Sequence, residues 1–232
     1  MRRRPGRAGV DAFGPLHNVG VTEWRPDIPD RPDRPLLRSE WSDLPGDPDP
    51  ADRRMIAHAT AAAVLRVARD SGSDPERTRR LIGLADDVGI DDIAALWCDA
   101  GAATLPGTLW SLYLLRTWVH RDGIEAARLF AAGQRVAEVS TVVAGVADPP
   151  GPREVAELGD AVLTSAFDGD FAIALERAAA FCRVVAAGRA HLADDCPDED
   201  ESFRQTRLAD GNLRMAQELE HAAALWREDE LT

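Results

Sequence analysis

At 232 residues and 45% hydrophobic content, the chain is long enough to bury a sizeable core, and 29% charged residues is ordinary for a globular protein. A net charge of −13 sets its mean field against nucleic acid, whose binding rests on neutralising phosphates, so general DNA or RNA binding is disfavoured. All 27 basic residues are arginine; with no lysine there is no P-loop lysine, no kinase ATP-binding lysine and no Schiff-base lysine for pyridoxal phosphate.

In chain order, residues 1–50 hold nine of the fifteen prolines and few periodic apolar positions, which predicts a Pro/Arg-rich extended arm outside the packed core. Pro26, Pro29, Pro32 and Pro35 recur every third residue, the repeat of a polyproline II rod that spans roughly 30 Å. Trp24 stands at one end of it, and Leu36, Leu37 and Trp41 at the other. Two readings stay open: an arm pinned to its own domain, or a ligand for a partner's aromatic groove, for which Pro29-Asp-Arg-Pro32-Asp-Arg34 matches P-x-x-P-x-R. Trp24, Pro29, Pro32 and Trp41 are therefore the partner-binding candidates.

The helical part starts after Asp49, a capping residue, and Pro50, a first-turn residue. A helix over 51–71 is expected to turn Ile56, Ala59, Ala63 and Val67 inward. Asp74 and Pro75 open a second over 75–87, with Leu81, Ile82 and Ala85 inward, and Asp91 starts a short third through Trp97. Leu105–His120 has almost no polar face, which predicts the centre of a bundle holding Trp110 and Trp118. Ile124–Gln134 and Val136–Val146 read as one longer or broken helix; the Val-rich half lacks strand alternation.

Asp148-Pro-Pro-Gly-Pro152 starts a helix with Val155, Leu158, Val162 and Ala166 on one face. Asp170 caps the longest clear helix, whose Phe171, Leu175, Ala178, Cys182 and Val185 repeat at coiled-coil-like spacing. The expected organisation is thus all-α: a single bundle of about seven to eight helices, with an arm at 1–50, a bundle domain at 51–193, an acidic linker at 194–202, and a C-terminal helix at 203–232 packing on the bundle. That last helix should turn Leu208, Met215, Leu219, Ala222 and Trp226 inward.

Three cysteines, Cys98, Cys182 and Cys196, form no C-x-x-C pair, which argues against a disulfide framework and a structural zinc. Arg2, Arg3 and Arg4 precede Pro5, Gly6 and Arg7 rather than an apolar stretch, so no secretory or twin-arginine signal is expected. No run approaches the roughly 18 apolar residues of a membrane span, which makes the cytoplasm the expected address and a membrane an unexpected partner.

His120-Arg121-Asp122 spells a kinase tripeptide but lacks the downstream Asn and D-F-G, and there is no G-x-S-x-G or G-x-G-x-x-G. Glu218-Leu-Glu-His221 is a single E-x-x-H where a dinuclear bundle site uses two, so no metal and no cofactor are expected. Cys182 reads as a core residue rather than a reactive thiol. Arg116 and His120 lie one turn apart on the apolar helix, where a bare guanidinium would be costly. Either a carboxylate such as Glu176 or Asp160 satisfies Arg116, or the side chain reaches the surface, or Arg116, His120 and Arg121 form an anion-binding pocket.

Leu105-Pro-Gly-Thr-Leu-Trp-Ser-Leu-Tyr-Leu-Leu-Arg-Thr-Trp118, Val142-Val-Ala-Gly-Val-Ala-Asp-Pro-Pro-Gly-Pro152 and Phe171-Ala-Ile-Ala-Leu-Glu-Arg-Ala-Ala-Ala-Phe181 together resemble a family of uncharacterised helical proteins from actinobacteria, over roughly residues 90 to 192. The resemblance implies no activity, cofactor or catalytic residue. The leading expectation is a non-enzymatic helical interaction or regulatory protein with a protein partner; self-association through the Ala-rich helix at 171–192 is compatible with this and with the alternative that follows. The competing expectation is an enzyme or small-anion-binding protein with a pocket around Arg116 and His120.

Overall fold

A computed structural model of the chain describes residues 49–70, 74–136 and 151–232. Trp24, Pro29, Pro32 and Trp41, the proline rod, and the Val136–Val146 helix beyond its first residue lie outside the described residues. Those described carry nine helices and no strand. They run α1 (Pro50–Asp70), α2 (Pro75–Ile82), α3 (Leu84–Asp87), α4 (Ile90–Trp97), α5 (Leu105–Arg121), α6 (Gly123–Val136), α7 (Pro152–Asp168), α8 (Phe171–Asp194) and α9 (Glu199–Arg227). All belong to one compact unit, Leu44–Thr232.

The helix starts follow side-chain capping, in which a short polar side chain accepts from an otherwise orphaned backbone N–H. Asp49 accepts from Ala51, Asp74 from Glu76, Thr104 from Gly107, Asp170 from Ile173 and Asp198 from Glu201. Proline occupies the first turn of α2, α5 and α7, where its missing N–H costs nothing. Two boundaries differ from expectation. The segment 75–87 breaks at Gly83 into α2 and α3, and α9 begins at Glu199, inside the acidic stretch, because Asp198 caps it and Glu199, Asp200 and Glu201 favour a helix N-terminus.

The inward face of α1 also differs. Ala57, Ala61, Leu65 and Ala68 are buried, while Ile56, Ala59 and Val67 are exposed, one residue away from the expected stripe. Small alanines on the true face let α1 come close to the core. Hydrophobicity alone favours the larger Ile56 and Val67, which here face solvent.

Helices α5 and α8 share the centre. Ten residues of α5 are buried, and Trp110 and Trp118 are half-buried against the core. Fourteen residues of α8 are buried, including Phe171, Leu175, Ala178, Cys182 and Val185, the whole predicted stripe. On one side α8 packs on α6 through facing glycines: a Cβ at Gly188 would overlap the Leu129 carbonyl oxygen, and one at Gly133 the Val184 carbonyl oxygen. On the other side α9 runs antiparallel to α8, with Arg183 forking onto Glu220 at 2.7 and 2.6 Å and Arg227 bonding Glu176 at 2.7 Å. Such solvent-screened pairs add little to stability and mainly fix register.

Aromatic rings form a ladder through the middle: Phe130 stacks on Phe181 at 5.2 Å, and Trp118 meets Phe181 edge-on at 6.4 Å. No helix among the described residues is long and apolar enough to cross a membrane.

Candidate functional site

The Arg116 cluster follows from one close helix approach. Gly159 of α7 lies against α5 so tightly that a Cβ there would sit 2.7 Å from Val119 Cγ2 and 3.7 Å from the Arg116 Cα. The next residue, Asp160, therefore reaches the α5 side chains one turn apart. Arg116 Nε donates to Asp160 Oδ1 at 2.7 Å, and His120 Nε2 lies 2.9 Å from the same oxygen. From the other flank the break at Gly83 brings in α3, whose Asp86 Oδ2 lies 2.9 Å from Arg116 Nη1 as an ion pair without hydrogen-bond alignment. Arg116 itself is only 6% exposed.

Two carboxylates thus face one guanidinium and one imidazole, so the cluster has no surplus positive charge whichever way the imidazole is protonated. Of the carboxylates weighed for Arg116, Asp160 is the partner; Glu176 is taken by Arg227. Arg121 is not drawn in: it is exposed, and its Nε lies 3.7 Å from Asp122. His120 and Arg121 instead line an open groove of about 620 Å³ at the α5–α6–α7 junction, with Ile124, Pro152 and Arg153. Arg153 is itself paired with Glu154 and Glu157.

A structural ion pair of this kind makes an asymmetric prediction. Removing only the acid, Asp160→Ala, leaves a buried cation with Asp86 alone; because Asp160 is 40% exposed, the cost should be about 1–3 kcal/mol rather than that of a fully buried pair. Arg116→Met removes the charge and keeps most of the volume, so it should change stability by less than about 1 kcal/mol. Urea midpoints of the two variants check this; equal losses would mean that packing, not charge, dominates at Arg116.

A second buried arginine lies outside the residues expected to form a site. Arg189 of α8 is 7% exposed. Its Nε donates to Asn212 Oδ1 at 3.0 Å and its Nη1 to Gln205 Oε1 at 2.8 Å, and the guanidinium carbon stands 5.7 Å from the centre of the Trp118 ring. Gln205 in turn donates to Glu201 at 2.8 Å. Around it, Glu125 is forked by Arg128 at 2.8 and 2.9 Å, and Glu201 by Arg204 at 2.8 and 2.6 Å. Burial holds the Arg189 guanidinium below its ordinary value; Glu125 and Glu201 oppose that, and Arg204 and Arg128 add to it.

The missed signal is visible in retrospect. The stripe 171, 175, 178, 182, 185 continues at position 189, so the heptad pattern itself placed Arg189 on the buried face. Elsewhere, Cys182 is fully buried and its thiol is pushed up to about 12, which makes it unreactive. Glu218 and His221 are exposed on α9. Among the described residues no group of three His, Cys, Asp or Glu side chains is placed to hold a metal ion.

No protein-family model, curated protein or solved structure matches this chain. The resemblance to actinobacterial helical proteins rests on its quoted motifs alone.

Proposed function

We propose that the chain is a non-enzymatic helical interaction or regulatory protein of the bacterial cytoplasm, acting on a protein partner. The observation that carries this reading is a pair of large apolar side chains held in solvent on well-formed helices. Ile124, in the first turn of α6, is 80% exposed, and Phe203, in the first turns of α9, is 66% exposed. Both belong to one end of the bundle, where Glu125 feels the charge of Arg204 and Arg128 that of Glu201.

Each side chain forgoes roughly 1.5–3 kcal/mol of burial, which a partner's apolar surface would recover on association. The internal neutralisation of Arg116 by Asp160 and Asp86 weighs against the competing anion pocket around Arg116 and His120. Trp24, Pro29, Pro32 and Trp41 enter the proposal as a second contact, through their P-x-x-P spacing and flanking indoles.

The test is affinity capture from the host's cell extract with three full-length baits: wild type, Ile124→Asp/Phe203→Asp, and Trp24→Ala/Trp41→Ala. A charge placed in the apolar contact should cut recovery of a specific partner at least about tenfold. Equal recoveries by all three baits, or no retained partner, would overturn the reading. Light scattering of the wild type distinguishes a second copy of the chain from a foreign partner.

A further inference from the structure

We infer that Arg189 is the anchor of a binding site for a small-molecule carboxylate, distinct from the Arg116 cluster. The first ground is charge. Arg128 and Arg204 are each forked by a glutamate, so Glu125 and Glu201 are spent, and the five-residue cluster retains one net positive charge. That charge is Arg189, which has no carboxylate within ion-pair distance among the described residues. Its direct partners are neutral amide oxygens.

A buried guanidinium without a counter-ion is costly, and amide dipoles compensate it only in part. One carboxylate would balance the cluster; a phosphate, at more than one negative charge near neutral pH, would overshoot it.

The second ground is preorganisation. Asn212 and Gln205 lock Nε and Nη1, Glu201 orients the Gln205 amide by accepting from its Nε2, and Trp118 backs the guanidinium face. Trp118 is in turn held by the edge of Phe181. Nη2 alone makes no hydrogen bond to a described residue, so the fork presents one fixed donor to an incoming oxygen. A donor held in place loses little entropy on binding. The site is therefore suited to a carboxylate of modest size, held by one charge-assisted hydrogen bond and by the uncompensated charge of Arg189.

The probes are sodium acetate and sodium benzoate, compared with sodium chloride at equal ionic strength. In wild-type protein each carboxylate should raise the melting temperature above the chloride control and change the emission of Trp118, identified by difference from Trp118→Phe. In Arg189→Met the carboxylate-specific rise should weaken at least about tenfold in concentration dependence, the loss of one charge-assisted hydrogen bond.

Should Arg189→Met fail to fold, the arginine Nε–Hε resonance of Arg189 in labelled wild-type protein serves instead. It should move with acetate and stay still in chloride. A response equal in chloride, a response retained in Arg189→Met, or an unmoved Arg189 resonance would each overturn the assignment.

Discussion

Gly188→Leu should abolish cooperative folding, and even Gly188→Ala should cost more than about 3 kcal/mol, above the usual range for an overpacked core. The reason is geometric. A Cβ at Gly188 meets backbone on α6, the Leu129 carbonyl oxygen and the Gly133 nitrogen, and backbone has no rotamer with which to step aside. Relief requires α6 and α8 to separate. That would open the Phe130–Phe181 stack and loosen the Trp118 contact that backs Arg189.

Gly211 is the internal control. A Cβ there meets nothing within 4 Å, so Gly211→Ala in the middle of α9 should raise stability, by about 0.5–1 kcal/mol. Urea unfolding of the two alanine variants should therefore move in opposite directions. Losses of similar size at both positions would mean that the α6–α8 crossing is looser than the glycine contacts require.

The second large effect is expected at Phe130. It is fully buried and stacks on Phe181 at 5.2 Å with the rings 21° apart. Phe130→Ala removes a ring from a site walled by helices that cannot collapse inward, because their spacing is set by the glycine crossing. The expected cost is about 3–5 kcal/mol, a fall in melting temperature of roughly 10 °C. Thermal unfolding followed by near-ultraviolet circular dichroism checks both the loss and the altered packing of Trp118. A cost below about 1 kcal/mol would show that the ladder is not part of the core.

Much of the framework could be read from local chemistry. Asp74, Asp170 and the prolines at 75 and 152 mark helix starts because capping and φ restriction act within three or four residues. The predicted stripe of α8 is buried in full because its apolar period extends over many turns and alanines fill the intervening positions. Where local signals balance, local chemistry does not decide the buried face. On α1, Ile56 and Val67 outweighed Ala57 and Ala61 in hydrophobicity, yet the alanines face inward, since burial there rewards close approach more than side-chain size.

The site was legible in part and for the same reason. A guanidinium on the apolar helix α5 required a counter-charge, and Asp160 and Glu176 were both on offer; the choice of Asp160 depends on Gly159, which carries α7 against Val119 and Arg116. Asp86 was not anticipated, because the turn at Gly83 that redirects it interrupts what reads as a continuous helix. Arg189 stands at the next position of the heptad stripe of α8, but the apolar pattern that marks the stripe does not extend to a charged side chain.

By itself, then, the amino-acid sequence determined that the chain folds as helices, where most of them begin, and that Arg116 would need a partner. Those outcomes follow from backbone preferences, capping and the cost of desolvating charge, all of which act over a few residues or on a single group. Only the tertiary structure decided which face of α1 turns inward, which acid meets Arg116, and that Arg189 lies between amide oxygens and an indole. Those depend on interhelical spacing set by Gly133, Gly159 and Gly188, and contacts between residues distant in sequence are fixed only when the helices pack.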